Sequence, residues 1–177
     1  MVEFKEIEKF DVPEGLQVSQ DGNKIHVKGP KGEIEREFLN NYVTVKATGK
    51  KVSISVSKQK NYSRAIVGTW KSIINSMFSG VKNGFQYEMK IDYTHFPMRV
   101  SVRGQKVVIE NFLGERSPRS AQIVGKCSVS VKGDRVFVSG IDRYEVGETA
   151  ANIERATKIK GFDLRVFQDG IYLIGGN

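Results

Sequence analysis

The amino-acid sequence predicts an α+β fold made of two tandem repeats, each an antiparallel β-sheet packed against one helix in the order ββββαβ. Three observations predict it. Four segments alternate apolar and polar residues on both sides of a short turn, as β-hairpins do. A helical pattern follows the second and the fourth of these segments. Both helical patterns then run into a lysine, a glycine and a phenylalanine.

The first two hairpins lie in the N-terminal half of the chain. GLQVSQDGNKIHVKG predicts a turn at Asp21-Gly22, and VTVKATGKKVSISV predicts a turn at Thr48-Gly49. The cross-strand pairs that these turns imply are Val18 with Ile25, Leu16 with Val27, Val45 with Val52 and Val43 with Ile54. Both registers place the apolar side chains of the two strands on one face.

The other two hairpins turn at Gly104-Gln105 and Gly133-Asp134, and a glycine in the first central position suits a type II′ turn. The implied pairs are Val102 with Val107, Val100 with Ile109, Arg99 with Glu110, Val131 with Val136 and Val129 with Val138. Each tip then holds two cations face to face, Arg103 with Lys106 and Lys132 with Arg135. Like charges in this position destabilise a hairpin by roughly a few tenths of a kcal/mol. A bound polyanion would remove that cost, and solvent screening alone would also accommodate it.

The helical patterns complete the repeat. The apolar positions of the first are Ile66, Trp70, Ile73 and Met77, and those of the second are Ala150, Ile153 and Thr157. A strand pattern follows each helix, FQYEMKIDY after the first and FDLRVFQDGIYLI after the second. We place a domain boundary near Gly84, which gives an N-terminal repeat over 1–84 and a C-terminal repeat over 85–177.

The charge of the chain favours a polyanionic partner. The 177 residues carry a net charge of +8, from 28 basic and 20 acidic residues. Residues 1–84 hold 12 Lys and 2 Arg against 9 acidic residues, whereas residues 85–177 hold 6 Lys and 8 Arg against 11. The second half is therefore richer in arginine, which forks onto phosphate and stacks on bases.

Two further cationic clusters lie in the second half. GERSPRS contains Arg116 and Arg119, and ERATKIKGF contains Arg155, Lys158 and Lys160. Late in a helix, Lys and Arg can simply complement the helix dipole. They are also well placed to bind phosphate, since Gly161 allows a backbone to approach closely.

The sequence offers little for catalysis or for a cofactor. It has two histidines and one cysteine, Cys127, so it can form neither an internal disulfide nor a common zinc site. Nucleotide-binding and hydrolase motifs are absent from it. It has no apolar run of the ~20 residues that a membrane helix needs, and its charged N-terminus has no signal-peptide pattern. We expect a cytosolic protein that is not an enzyme and needs no cofactor or metal.

Four segments carry a resemblance to a known family. HFPMRVSVRGQKVVIENFLGE, from His95 to Glu115, resembles the second-domain signature of large-subunit ribosomal protein six in its archaeal and eukaryotic form. NSMFSGVKNGF, VGETAANIE and RVFQDGIYLI are similar to other parts of that family, in the same order. The resemblance runs from about Pro13 to Ile174 and reproduces the duplicated architecture.

The resemblance implies binding to large-subunit ribosomal RNA near the sarcin–ricin loop and the stalk base, where translational GTPases dock. It also implies that the second domain makes the main RNA contacts, beside neighbouring ribosomal proteins. The family often has a basic residue three positions before Arg165, where this chain has Phe162, so Lys158 and Lys160 are expected to take that role. The family's frequent basic C-terminal tail has no counterpart in the closing IGGN.

Together these observations predict a structural ribosomal protein that grips RNA as a rigid two-domain clamp. The alternative is a free-standing RNA-binding regulator on the same fold. The residues predicted to contact RNA are Arg103, Lys106, Arg116, Arg119, Lys132, Arg135, Arg155, Lys158, Lys160, Gly161 and Arg165.

Overall fold

The computed structural model describes residues 5–57 and 61–176, and the chain divides into two compact units between Gly84 and Phe85. Within the described residues, unit 1 contains β1 (Lys5–Asp11), β2 (Gln17–Asp21), β3 (Lys24–Gly29), β4 (Gly32–Glu37), β5 (Val43–Thr48), β6 (Lys51–Val56) and α1 (Asn61–Asn83). Unit 2 contains β7 (Phe85–Asp92), β8 (Arg99–Arg103), β9 (Lys106–Glu110), a 3-10 turn (Phe112–Gly114), β10 (Arg119–Gln122), β11 (Ser128–Lys132), β12 (Arg135–Gly140), α2 (Arg143–Ala156) and β13 (Gly170–Gly176). The predicted α+β class and its tandem duplication are confirmed.

Both units follow one topology. Strands β2-β3-β4 and β8-β9-β10 form three-stranded antiparallel sheets. The opening strand of each unit joins the later hairpin, which gives the orders β5-β6-β1 and β11-β12-β7. Strand β13 adds to the free edge of β7 and has no counterpart in unit 1 among the described residues.

The structure therefore has more strands in each repeat than ββββαβ predicts. Strands β1, β4 and β10 are additional, and the strand predicted after α1 is β7, which begins unit 2 instead of closing unit 1. Strand β4 reads GEIERE, in which only Ile34 is buried, and β10 has only four residues, of which only Ala121 is buried. Such short or polar segments carry too little alternation to be found from the pattern alone.

The predicted hairpin registers are correct in unit 2 and wrong in unit 1. Arg103 pairs with Lys106 and Lys132 pairs with Arg135, as predicted. In unit 1, by contrast, Val18 pairs with Val27 and Val45 with Ile54, a shift of two residues in each hairpin. The observed turns are Gly22-Asn23 and Gly49-Lys50. In all four hairpins a glycine with positive φ occupies the first central position of the turn, which fixes the register. These glycines are Gly22 (+57°), Gly49 (+47°), Gly104 (+59°) and Gly133 (+60°). A shift of two residues keeps every side chain on its predicted face.

The helices bury one face against these sheets. In α1 the buried residues are Ser63, Val67, Trp70, Ile74, Met77, Phe78, Gly80 and Val81, whereas the predicted Ile66 and Ile73 are only half-buried. The apolar stripe is therefore rotated from the predicted one. In α2 the predicted Ala150 and Ile153 are buried, together with Val146 and Thr149, and the predicted Thr157 is buried just after the helix ends. No helix in the described part of the chain is long and apolar enough to cross a membrane.

Candidate nucleic-acid interface

The end of α2 is fixed by a buried threonine. The hydroxyl of Thr157 donates to the carbonyl of Glu154 (3.2 Å) and accepts the backbone N–H of Ile171 (3.1 Å). This residue therefore ties the last turn of α2 to the start of β13. The residues that follow, Lys158 and Lys160, are exposed beyond a rigid helix end.

Arg119 joins the two cationic clusters that the sequence places 39 residues apart. Its Nη1 donates to the carbonyl oxygens of Ala156 (2.9 Å) and Lys158 (3.1 Å). Its Nε and Nη2 donate to the two carboxylate oxygens of Glu115, at 2.8 and 2.5 Å. The guanidinium also lies 4.3 Å from the ring centroid of Phe112. The loop around Arg116 and the end of α2 are thus parts of one surface.

This arrangement gives Arg119 an internal role. Its side chain is 25% exposed, and all three guanidinium nitrogens donate within the fold. Carbonyl oxygens at the end of a helix lack partners along the helix, so the guanidinium caps them. The hydrogen bond from Arg119 holds the pKa of Glu115 below its ordinary value. Contact between Arg119 and RNA stays a prediction that this geometry does not favour.

We call the exposed residues gathered here, Arg116, Arg155, Lys158, Lys160 and Gly161, the helix-end surface. Within the described residues, the side chains of Arg116, Lys158 and Lys160 form no hydrogen bond or ion pair. Arg155 Nη1 contacts Asn152 (2.9 Å) and Glu148 (3.2 Å). Gly161 has a φ of +80° and open space where a Cβ would stand, which agrees with close approach of a backbone. The free cations of this surface can neutralise phosphates without breaking an internal bond.

Arg165 lies further along the loop that leads to β13. Its side chain is 93% exposed, and its Nε lies 3.5 Å from a carboxylate oxygen of Asp163. The loop itself is held by aromatic contacts, because the Phe167 ring lies 5.0 Å from Phe162 and 5.4 Å from His95. The buried Asp169 accepts the backbone N–H of Thr94 at 3.1 Å. The loop is therefore anchored at its far end, while Arg165 is available to a partner.

At the hairpin tips, interactions within the fold relieve much of the repulsion between the facing cations. Arg103 pairs with Glu110 at 3.0 Å, and Arg135 pairs with Glu88, whose hydrogen bond raises the pKa of that guanidinium. Lys132 Nζ lies 5.9 Å from the ring centroid of Phe137. Lys106 forms no side-chain bond or ion pair among the described residues. The facing cations thus do not require a polyanion, and RNA contact at the tips stays a prediction.

The described residues hold no cluster of three His, Cys, Asp or Glu side chains that could bind a metal ion. Burial raises the pKa of the Cys127 thiol, so this half-buried side chain stays protonated at neutral pH.

Sequence reasoning missed two residues of this region. Glu115 positions Arg119, and the pair has the i, i+4 spacing of an acidic and a basic residue, a signal that was present in GERSPR. Tyr172 lies exposed in β13 beside the end of α2. The only signal for Tyr172 is that the final strand, GIYLIGG, contains no charged residue.

Comparison with known proteins places the chain among relatives of one kind. The model of the family described as ribosomal protein L6 matches residues 12–84 and 96–170, one segment in each unit. The chain is 58% identical to large ribosomal subunit protein uL6 of Thermoplasma acidophilum, over 98% of both chains. It is 53% identical to the uL6 of Picrophilus torridus, over 99% of this chain and 98% of that one, and 49% identical to the uL6 of Methanobrevibacter smithii, over 94% of both. These are names of ribosomal proteins and not of enzymes, as the sequence predicts.

Proposed function

The chain belongs to the ribosomal protein L6 family, and we propose that it is a structural constituent of the large ribosomal subunit that binds large-subunit ribosomal RNA. One observation of the structure supports this proposal most directly. Arg119 joins the loop of Arg116 to the end of α2, so that cations from separate parts of the chain lie on one rigid surface. Such a fixed array suits RNA binding, because phosphate contacts set the register and orientation of a protein on the nucleic acid.

The helix-end surface acts mainly through charge and shape. Lys and Arg neutralise phosphates and release counterions, which supplies affinity that depends on salt. The major groove of an RNA helix is too deep and narrow for side chains to read the bases, so contacts to phosphate and ribose are expected to dominate. Unit 2 is the main RNA-binding domain in this proposal, and it needs no cofactor. Neighbouring ribosomal proteins are its further partners in the cytoplasmic ribosome.

The finer location follows the family resemblance. The RNA site lies near the sarcin–ricin loop and the base of the stalk, in the region where translational GTPases dock. There the protein supports the RNA surface and does not take part in GTP hydrolysis. The fixed geometry of the helix-end surface suits this role, since none of its described residues has to move to expose a cation.

Cosedimentation with ribosomes in high salt tests the proposal. A structural constituent stays with the large subunit after a high-salt wash, because it is held by RNA and by protein neighbours together. Release of the whole population would instead indicate a free-standing RNA-binding regulator. For a chain with Lys158 and Lys160 changed to Ala, which should be retained less well, the charge-matched control has Lys50 and Lys51 changed to Ala, since these lysines lie in unit 1 and the proposed surface lies in unit 2. Chemical footprinting of the bound RNA then tests the location at the sarcin–ricin loop.

A further inference from the structure

A groove of about 350 Å³ lies in unit 2 between the end of α2 and strand β13. Its apolar lining comes from Ile159, Leu164 and Ile171, and Tyr172 also lines it. Ile171 belongs to the buried core, whereas Leu164 is exposed. The groove therefore combines a fixed floor with an open, apolar mouth, as small-ligand sites commonly do.

The ring of Tyr172 is held in one orientation. Its hydroxyl donates to the carbonyl of Gln168 (3.1 Å) and lies 3.4 Å from that of Asp169. The ring lies directly over Gly170, where an added Cβ would stand 2.8 Å from the ring carbon Cζ. Burial, followed by nearby carboxylates, raises the pKa of Tyr172, so the hydroxyl keeps its proton. Even so, 45% of the residue stays exposed. An exposed ring that is already ordered loses little conformational freedom when something stacks on it.

The rim of the groove is cationic. Lys158 lines it, and its ammonium group has no partner in the described chain. Arg155 also lines it, and its guanidinium forms an ion pair with Glu148. The one acidic lining residue, Glu154, has a carboxylate oxygen that accepts the backbone N–H of Leu173 at 2.9 Å. The occupant that fits best has a flat apolar body and an adjacent negative charge.

We propose that this groove accepts one unstacked nucleobase from an RNA bulge or loop, which stacks on Tyr172 while Lys158 holds a neighbouring phosphate. The inference rests on the proposed RNA-binding function and adds a base-binding pocket to it. A paired base inside a helix cannot enter the groove, whereas splayed bases commonly stack on aromatic side chains. A nucleobase is favoured over an acidic protein segment because the groove is continuous with the helix-end surface through Arg155 and Lys158.

The test uses the full chain and two RNA hairpins at low ionic strength. One hairpin carries a single bulged 2-aminopurine, and the other carries the same base paired within its stem. The bulged hairpin is expected to bind about 10-fold more tightly, which is the scale of one base–aromatic stacking contact. The fluorescence of the bulged 2-aminopurine is expected to change when the protein binds.

The variants assign that preference to the groove. Tyr172→Leu is expected to remove the preference for the bulge while the affinity for the paired hairpin is kept, and Tyr172→Phe is expected to retain the preference. Leu164→Asp places a carboxylate at the exposed mouth without touching the core, and it should also abolish the preference. Tyr62→Leu is the matched control, since Tyr62 is an exposed tyrosine of unit 1. Urea unfolding of each variant establishes that it is folded.

Equal affinity for the two hairpins would overturn the pocket and leave RNA binding by the helix-end surface in place. Loss of the preference in Tyr62→Leu as large as in Tyr172→Leu would also overturn it. Binding of an acidic, phenylalanine-containing peptide that is lost in Tyr172→Leu, together with no 2-aminopurine response to RNA, would assign the groove to a protein partner instead. Failure of both hairpins to bind would contradict the proposed function as well as this inference.

Discussion

The guanidinium of Arg119 donates a hydrogen bond of 3.1 Å to the backbone carbonyl of Lys158, 39 residues further along the chain. Both residues were predicted to contact phosphate. The side chain of Arg119 therefore fixes the backbone of Lys158. Arg116 and Arg119, only three positions apart, therefore have different roles. Arg119 organises the surface, and Arg116 faces outward from it.

Arg119→Ala is expected to lower the free energy of unfolding by about 1.5–3 kcal/mol, the range for hydrogen bonds to a charged group. The variant leaves the carbonyls of Ala156 and Lys158 without their donor and removes the contact with Phe112. Urea unfolding measures the change. Arg116→Ala is the matched control, because an exposed residue without partners usually changes stability by no more than about 0.5 kcal/mol. Equal destabilisation by the two variants would contradict this assignment.

The pair of Glu115 and Arg119 predicts a dependence of stability on pH. Because the pKa of Glu115 is lowered in the folded state, its contribution is complete above the unfolded pKa, about 4.3 for glutamate, and is lost as the pH falls through the folded value. Glu115 is 40% exposed, so solvent screening limits the contribution to about 1 kcal/mol at most. Unfolding of the wild type and of Glu115→Gln should differ at pH 7 and converge in acid. A difference that persists undiminished at low pH would rule out this origin.

The hairpins show how far sequence alone determines the fold. Alternation correctly predicted all four hairpins and the face of each side chain, because burial imposes a period of two residues. Alternation cannot distinguish registers that differ by two residues, and the turn must do so. Gly22 and Gly49 were assigned to the second central position, whereas the backbone places each glycine first, with positive φ. The rule that gave the correct turn at Gly104 would have corrected both.

The candidate site was less predictable for a different reason. The sequence shows where Lys and Arg cluster, and side chains of this kind are expected at the surface. Arg116, Lys158 and Lys160 are indeed exposed. Whether a cation is available depends on contacts with residues distant in sequence, such as the carbonyls that Arg119 caps or the Glu88 that pairs with Arg135. The place of Tyr172 beside the groove likewise depends on where the end of α2 meets β13.

Each unit is expected to fold alone, because each contains its own sheets and a helix whose buried face covers them. Residues 1–84 and 85–177, expressed separately, should both unfold cooperatively in urea, with stability that is small for domains of this size. Unit 2 is expected to be the easier to obtain, because β13 covers an edge of β7 within the fragment. Absence of a cooperative transition in both fragments would show that the boundary at Gly84 is wrong.

Given two folded fragments, residues 85–177 should retain most of the affinity of the full chain for its ribosomal RNA. The helix-end surface lies wholly within this fragment, and so does the arginine excess of the chain. Binding of an RNA fragment that contains the sarcin–ricin loop, measured at several salt concentrations, compares the two fragments. If residues 1–84 bind as tightly through their larger net charge, unit 2 is not the main RNA-binding domain.

The last prediction ranks the cations by their availability. Lys158, Lys160 and Arg116 have no side-chain partner among the described residues, so each can contact a phosphate without breaking an internal bond. At the hairpin tips, Arg103 and Arg135 are already paired with Glu110 and Glu88. RNA would have to displace these carboxylates, and the gain would be smaller. We therefore expect the helix-end lysines and Arg116 to contribute more to RNA affinity than the arginines of the tips.

The measurement is the slope of log K against log salt concentration for RNA binding by each alanine variant. Lys158→Ala, Lys160→Ala and Arg116→Ala should each lower the magnitude of the slope by about one unit, because each removes one phosphate contact and its released counterion. Lys50→Ala, at the tip of the β5–β6 hairpin in unit 1, removes the same charge and should leave the slope nearly unchanged. Because these lysines and Arg116 are exposed, folding should be unaffected. Unaltered slopes in all three helix-end variants would mean that the RNA lies on another face of the protein.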